Sequence, residues 1–188
     1  MFLDIAVGIF LAVIGGSFFQ QELTPFFVLA CVFFALSPDI DVVIYLFRNK
    51  LRIDEKAHSH RDLLHYPLFF IPIGMVIALP FGWEWSVLFA LGALWHFLHD
   101  TLATGWGIRW FWPISKNHYI FFRKSLSIEK PGLPFRFLYV WTQTEVKDLM
   151  VRYGEPDWFK NFYFSPHPLL IAELGALAIA VATLLFVK

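Results

Sequence analysis

The chain has 188 residues, of which 58% are hydrophobic, 20% are aromatic and only 16% are charged. Its formal net charge is zero and its mean hydropathy is +0.60, whereas a soluble domain averages about 45–50% apolar and about 25% charged residues. This composition excludes a disordered chain, a coiled coil and collagen, argues against an ordinary soluble globule, and gives no indication of a nucleic-acid partner.

Five apolar stretches are long enough to cross or nearly cross a bilayer, which requires roughly 20 residues. They are Met1–Phe19, Pro25–Phe47, Tyr66–Phe81, Trp83–Ala103 and Pro166–Val187. We therefore expect an all-α fold, a polytopic transmembrane bundle of about five spans that forms one domain over residues 1–188. Gly8, Ala12 and Gly16 recur at every fourth residue of the first span and indicate close packing against another helix.

The basic residues lie almost entirely in two of the connections between these spans. Fourteen of the fifteen Lys and Arg residues fall in Arg48–His65 and Thr104–Ser165, and Lys188 is the exception. The positive-inside rule predicts that both connections are cytoplasmic. The N-terminus would then be cytoplasmic, in a multi-pass protein of a bacterial-type inner (plasma) membrane.

The second of these connections is expected to contain ordered structure. It begins with residues typical of an interfacial aromatic belt, namely Trp106, Trp110, Phe111 and Trp112. Thr142 and Glu145 have the spacing of a capping box. Apolar residues then recur with helical period at Val146, Leu149, Met150 and Tyr153. We predict an amphipathic helix that ends at Gly154 and either lies on the membrane surface or covers the ends of the spans.

The segment Ser37-Pro38-Asp39-Ile40-Asp41 interrupts the second predicted span. A proline inside a helix frees a backbone carbonyl, so we predict a break, with Ser37 capping a new helix and Pro38 in its first turn. Two carboxylates at such a break suit a divalent cation, which offsets their desolvation and their mutual repulsion. The alternative is a simple kink whose acids reach water.

The end of the fourth span carries the strongest local pattern. His96 and Asp100 are four residues apart and His96 and His99 are three apart, so all three share one face of a helix. An imidazole and a carboxylate at this spacing commonly chelate a metal, with a neighbouring group in a supporting role. The alternative is a buried, hydrogen-bonded His–Asp pair.

Three further histidines, His58, His60 and His65, lie in one eight-residue stretch of the first predicted cytoplasmic connection. Their density favours metal ligation over three solvated side chains. Arg61 can hold a phosphate or a carboxylate through its planar fork, or it can be a solvated charge. His118 is a weaker candidate on the same side of the membrane.

The candidate ligands are nitrogen and oxygen atoms, because the single cysteine, Cys31, lies in an apolar run. Such a set suits one or two Zn²⁺ ions, with Mn²⁺ or Fe²⁺ as alternatives. Two further acids, Asp4 and Glu173, are expected to bond to backbone groups or to each other. The sequence contains no Gly-rich phosphate loop and no His-Glu-x-x-His pair.

Three spaced motifs resemble the YdjM-type inner-membrane, metal-dependent hydrolases, also described as LexA-binding membrane-associated hydrolases. The motifs are Pro38-Asp39-Ile40-Asp41, His60-Arg61-Asp62-Leu63-Leu64-His65-Tyr66, and Gly92 with His96 and Asp100, followed by Thr104-Gly105 and Trp112-Pro113. The middle motif departs from the family pattern at Asp62, Leu64 and Tyr66, which replace Gly, Thr and Ser. That family is distantly similar to zinc-dependent phospholipase C and P1 nuclease, helical enzymes that hydrolyse phosphodiesters.

The resemblance implies metal-ligand roles for six residues, which are Asp39, Asp41, His60, His65, His96 and Asp100. We therefore expect a metal-dependent hydrolase, a phosphoesterase that acts on a lipid or lipid-like substrate at the cytoplasmic interface. The expected catalytic residues are His99, His58 and Arg61, and the expected substrate-binding residues are Arg109, Lys116 and His118. Two other functions stay open: a divalent-metal or proton transporter, and a non-catalytic scaffold that binds a regulator.

Overall fold

A computed structural model describes residues 1–48, 64–102, 106–123, 136–153 and 164–187. The helices are α1 (Phe2–Phe19), α2 (Pro25–Leu36), α3 (Ile40–Arg48), α4 (Pro67–Ala78), α5 (Trp83–Thr101), α6 (Gln143–Tyr153) and α7 (Pro168–Phe186), and the strands are β1 (His118–Arg123) and β2 (Arg136–Trp141). Single 3₁₀ turns follow α2 at Ser37–Asp39 and α4 at Leu79–Phe81. The described chain is mostly helical, as predicted from its sequence.

Contacts divide the chain into two compact units. The first consists of Met1–Ile40, Ile71–His96 and Asp157–Lys188, and the second consists of Asp41–Phe70 and Phe97–Pro156. The expectation of a single domain over residues 1–188 stays a prediction.

In the first unit, α1 packs closely against both α2 and α7. A side chain at Gly8 would overlap the backbone of Val32 on α2, so the two helices approach each other where α1 has no Cβ atom. Ala12 is fully buried one turn further along. This confirms the predicted packing role of the small residues on α1, which let helix backbones come close in the absence of a strong hydrophobic driving force.

The helix break at Pro38 forms as predicted, although the capping differs. Pro38 cannot donate a hydrogen bond to the carbonyl four residues earlier, that of Phe34. The Ser37 hydroxyl donates to this carbonyl instead, at 2.9 Å. The prediction that Ser37 begins the new helix is therefore wrong. Helix α3 starts only at Ile40, after one 3₁₀ turn.

Two described helices have the length and composition to cross a membrane, α1 and α7. Two other apolar segments are shorter, Pro25–Asp39 and Pro67–Phe81. The five predicted spans are therefore not confirmed, because prolines shorten the second and third apolar helices. Continuous apolar composition predicts an apolar environment but does not reveal where a helix breaks.

The second unit contains an antiparallel hairpin, so the all-α prediction is wrong in this region. In the register of β1 and β2, His118 pairs with Trp141 and Ile120 pairs with Tyr139. Ile120, Tyr139 and Trp141 are buried together with Val146 of α6. Both strands are rich in aromatic and β-branched residues, which favour a half-buried pleated surface.

The predicted capping box and amphipathic helix are confirmed at α6, whereas the predicted end at Gly154 lies outside the described residues and the position of the helix at the membrane stays a prediction. The Thr142 backbone N–H donates to Glu145 Oε2 at 2.7 Å, and the Glu145 N–H donates to Thr142 Oγ1 at 3.3 Å. These bonds lower the pKa of the Glu145 carboxyl, with the backbone N–H as the largest cause. Val146 on the apolar face of α6 is buried against the two strands, and this contact positions the helix on the hairpin.

Candidate metal centre

His96 on α5 is a buried imidazole whose two ring nitrogens face different acceptors. Its Nδ1 lies 3.0 Å from the Ala35 carbonyl oxygen, and its Nε2 lies 3.5 Å from Asp39 Oδ1. A carbonyl oxygen can only accept, so Nδ1 carries the proton and Nε2 of the neutral ring carries the lone pair. The break after α2 thus supplies both the carbonyl that orients His96 and the carboxylate that faces it.

Asp4 and Glu173 form a second group of acids in the same unit, and both are nearly fully buried. The Met1 amino group lies 3.0 Å from Asp4 Oδ2 and 3.7 Å from Glu173 Oε2. The Leu3 backbone N–H donates to Glu173 at 3.4 Å, which agrees with the expected backbone bonding. Asp4 Oδ1 also lies 3.6 Å from His96 Nδ1, so Asp4 lies on the protonated side of that ring.

His65 in the second unit is held between two carboxylates. Its Nδ1 lies 2.8 Å from Asp41 Oδ2, and its Nε2 lies 3.2 Å from Asp100 Oδ2. Burial alone would lower the pKa of His65, but the contacts with Asp100 and Asp41 outweigh burial and raise it. The Asp41 carboxylate accepts from Nδ1–H, which leaves Nε2 directed at Asp100 in the neutral ring.

Within each imidazole–carboxylate pair, the separation suits two ligands of one cation. Two ligands of a tetrahedral zinc ion at about 2.1 Å lie about 3.4 Å apart, and the imidazole–carboxylate separations at Nε2 are 3.5 Å and 3.2 Å. Each pair is therefore a possible metal-binding group, with His96 and Asp39 in the first unit and His65 and Asp100 in the second.

A buried oxygen of Asp41 supports the same interpretation. Within the part of the chain that the structure describes, Asp41 Oδ1 is buried and has no hydrogen-bond partner. Leaving a buried carboxylate oxygen unsatisfied is costly, and a bound cation would offset that cost. The donors are imidazole nitrogens and carboxylate oxygens, so the residues present fit Zn²⁺, Mn²⁺ or Fe²⁺.

The other predicted site residues fall into two groups. His58, His60 and Arg61 lie outside the described residues. His99 is half-buried in the last turn of α5, one residue before Asp100. The predicted substrate-binding residues differ in exposure, because Lys116 is exposed, His118 is half-buried and Arg109 is 6% exposed.

Sequence reasoning missed two features near these histidines. The orienting role of the Ala35 carbonyl has no residue-type signature, although Pro38 indicated that carbonyls would be released at this break. The aromatic residues Tyr66 and Trp112 stack on each other, with ring centroids 4.6 Å apart. Their pairing depends on tertiary structure, and Trp112 alone is typical of a membrane-interface residue.

A family model described as the YdjM inner membrane protein matches residues 3–186. The chain belongs to this family. The YdjM match covers nearly the whole chain, beyond the half that carries the recognisable motifs, and it supports an inner-membrane location. No curated protein and no solved structure matches the chain significantly.

Proposed function

We propose that the protein is a membrane-embedded, metal-dependent hydrolase that cleaves a phosphoester of a lipid or lipid-like substrate. One observation carries the proposal. His65 and His96 each have Nδ1 against an acceptor, Asp41 or the Ala35 carbonyl. Each then directs Nε2 at a carboxylate. Holding two buried imidazoles in the tautomer that ligates through Nε2 is the arrangement that a metal site requires.

The residues that would hold one or two cations are His96 with Asp39 in the first unit and His65 with Asp100 in the second, with Asp41 supporting His65. A bound divalent cation would supply Lewis acidity and lower the pKa of water to near neutrality. The protein's own contribution is to fix the ligands and to bury them. The burial of His65 and His96 also raises the cost of leaving these carboxylates without a cation.

Hydrolysis adds water across the ester bond. A bond forms between the water oxygen and phosphorus, the ester P–O bond breaks, and a proton must pass from the water to the leaving oxygen. We assign this proton transfer to His99, which is half-buried beside Asp100 at the end of α5. An imidazole is suited to it because one of its ring nitrogens can accept a proton while the other donates one.

The expected location in a membrane supports the proposal that the substrate is a lipid or lipid-like molecule. The family is an inner-membrane family, and α1 and α7 have the length and composition to span a bilayer. Fourteen of the fifteen basic residues lie in the two connections assigned to the cytoplasmic side. We therefore place the site at the cytoplasmic interface of a multi-pass protein, where a headgroup ester would be accessible.

The test combines metal analysis with a substrate screen. Purified wild-type protein should contain a divalent transition metal and hydrolyse one class of phosphoester lipid. His96→Ala and Asp39→Asn should lose both properties. The matched control is His167→Asn, because His167 caps α7 by accepting from the Leu170 N–H at 3.2 Å and Asn preserves such a cap.

Two results would overturn the proposal. If purified wild-type protein contains no metal and any hydrolysis survives both substitutions, a metal centre is excluded. Metal-driven flux in proteoliposomes without hydrolysis of any phosphoester would instead identify a transporter.

A further inference from the structure

Two residues of a tight turn at residues 109–112 contact the ring of Tyr66, the residue that follows His65. The Trp112 backbone N–H donates to the Arg109 carbonyl at 3.3 Å. Trp112 stacks on the Tyr66 ring with a centroid separation of 4.6 Å and an interplanar angle of 27°. The Arg109 guanidinium lies over the same ring, 5.2 Å from its centroid. The Tyr66 ring thus contacts both a buried guanidinium and a second aromatic ring.

The backbone before this turn is fixed by β1. Ile108 and Tyr119 exchange two hydrogen bonds, of 3.3 Å and 3.0 Å. Gly107 has a φ of +71°, and a Cβ atom there would overlap the Tyr119 carbonyl. Only glycine allows this close approach without strain. Arg109 therefore extends from a constrained segment, which favours a defined position for its guanidinium.

Arginine has a chemistry that suits this position. A guanidinium that stacks on an aromatic ring uses its face for the contact, while its N–H donors lie in its plane and match two oxygens of a phosphate or carboxylate. Burial strengthens such charge-assisted bonds. Burial also lowers the pKa of Arg109, but an arginine remains protonated in proteins.

We propose that Arg109, held by Tyr66 and Trp112, is the residue that binds the anionic phosphate of the substrate beside His65. This inference rests on the proposed function and names its anion-binding group. It distinguishes the buried Arg109 from the exposed Lys116. The ligand chemistry is a phosphate oxyanion, whether of inorganic phosphate or of a lipid headgroup.

The experiment uses full-length protein loaded with Co²⁺, whose visible absorption reports on its ligands. Inorganic phosphate is titrated into wild-type protein and into Arg109→Gln, Arg109→Lys and Arg136→Gln variants. Arg136 is the matched control, because its guanidinium also lies over a tyrosine ring, that of Tyr139, at 5.4 Å, yet it is exposed.

We expect Arg109→Gln to weaken phosphate binding by at least about tenfold, the loss typical of a charge-assisted pair. Arg109→Lys should lose less, because it retains the charge without the fork. The Co²⁺ affinity of both should stay within about threefold of wild type, and Arg136→Gln should match wild type. The Lys variant preserves the test if the Gln variant does not fold.

Unchanged phosphate affinity in folded Arg109→Gln and Arg109→Lys would overturn the inference. Tighter Co²⁺ binding with unchanged phosphate binding would show that Arg109 is only a counter-ion for the acids around His65. Failure of wild-type protein to bind Co²⁺ would instead overturn the proposed function, and the inference with it.

Nanodiscs distinguish the two sources of phosphate. In discs that contain phosphatidic acid, the Co²⁺ spectrum of wild-type protein should change relative to discs of phosphatidylcholine alone. The change should be smaller in Arg109→Gln. A response to inorganic phosphate but not to phosphatidic acid would assign the site to a soluble phosphate, and a response to neither would overturn the inference.

Discussion

At the scale of single residues, the acceptor behind each imidazole matters as much as the group in front of it. Asp41 lies behind His65, at 2.8 Å from Nδ1. The Ala35 carbonyl lies behind His96, at 3.0 Å from Nδ1. The first acceptor can be changed by mutation, whereas the second belongs to the backbone. Asp41 is therefore the residue through which the orientation of an imidazole can be tested directly.

Asp41→Asn should weaken metal binding by about 10–100-fold, the usual cost of losing an outer carboxylate partner of a ligating histidine. The amide is isosteric, so the fold should be retained. Competition with a chelator of known affinity measures the effect. Asp148→Asn, on the exposed face of α6, is the control, and equal metal affinity in the two variants would contradict the assigned role of Asp41.

At the scale of secondary-structure elements, the close contact between α1 and α2 depends on a missing side chain. Gly8 faces the backbone of Val32. Helix backbones cannot relax as the tip of a flexible side chain can, so an added methyl group must separate the two helices. By contrast, an added Cβ at Gly175 of α7 would have no atom within 4 Å in the described chain.

Gly8→Ala should destabilise the protein by about 1–3 kcal/mol through overpacking. Gly175→Ala should stabilise it by about 0.5–1 kcal/mol, because alanine loses less conformational freedom in a helix. Unfolding of the detergent-solubilised variants gives both values. Opposite signs are expected, and a stabilising Gly8→Ala would show that α1 and α2 are not in close contact.

The capping box of α6 predicts that the stability of the protein depends on pH. The pKa of Glu145 is lowered in the folded chain, so its contribution to stability is present above the pKa of the unfolded chain and is lost as pH falls through the folded value. The melting temperature of Glu145→Ala should therefore be lower than that of wild type at neutral pH. The difference should shrink in acid, and a difference that grows there would contradict the cap.

Local features of the fold were predictable from sequence, and tertiary ones were not. The capping box at Thr142 and the break at Pro38 each depend on neighbouring residues, so both could be predicted. The strands β1 and β2 were missed because a short aromatic run has the same composition in a hairpin as in a membrane-interface belt. Within the candidate site, residue types indicated candidate ligands, but not that Asp41 lies behind His65 rather than beside His96.

At the scale of the whole molecule, the distribution of basic residues sets the expected orientation. The turn between α1 and α2 contains no Lys or Arg, whereas α6 carries Lys147 and Arg152. The positive-inside rule then predicts that α6 is cytoplasmic and that the first turn lies on the opposite side of the membrane. Cysteine labelling can test this because the native Cys31 is fully buried.

Glu22→Cys and Lys147→Cys place thiols at exposed positions on opposite predicted sides. A membrane-impermeant maleimide added to spheroplasts should label Glu22→Cys, and it should label Lys147→Cys only after lysis. Wild-type protein should remain unlabelled throughout. Labelling of Lys147→Cys in intact spheroplasts would place α6 outside and would contradict the cytoplasmic site.

X-ray absorption of the zinc-loaded protein tests the metal centre most directly. The account predicts a mixed nitrogen and oxygen shell at about 2.0–2.2 Å, without sulfur. It also predicts outer-shell scattering from imidazole, which is weaker in His96→Ala. A shell without imidazole scattering, or a spectrum that His96→Ala leaves unchanged, would contradict the assignment of His65 and His96 as ligands.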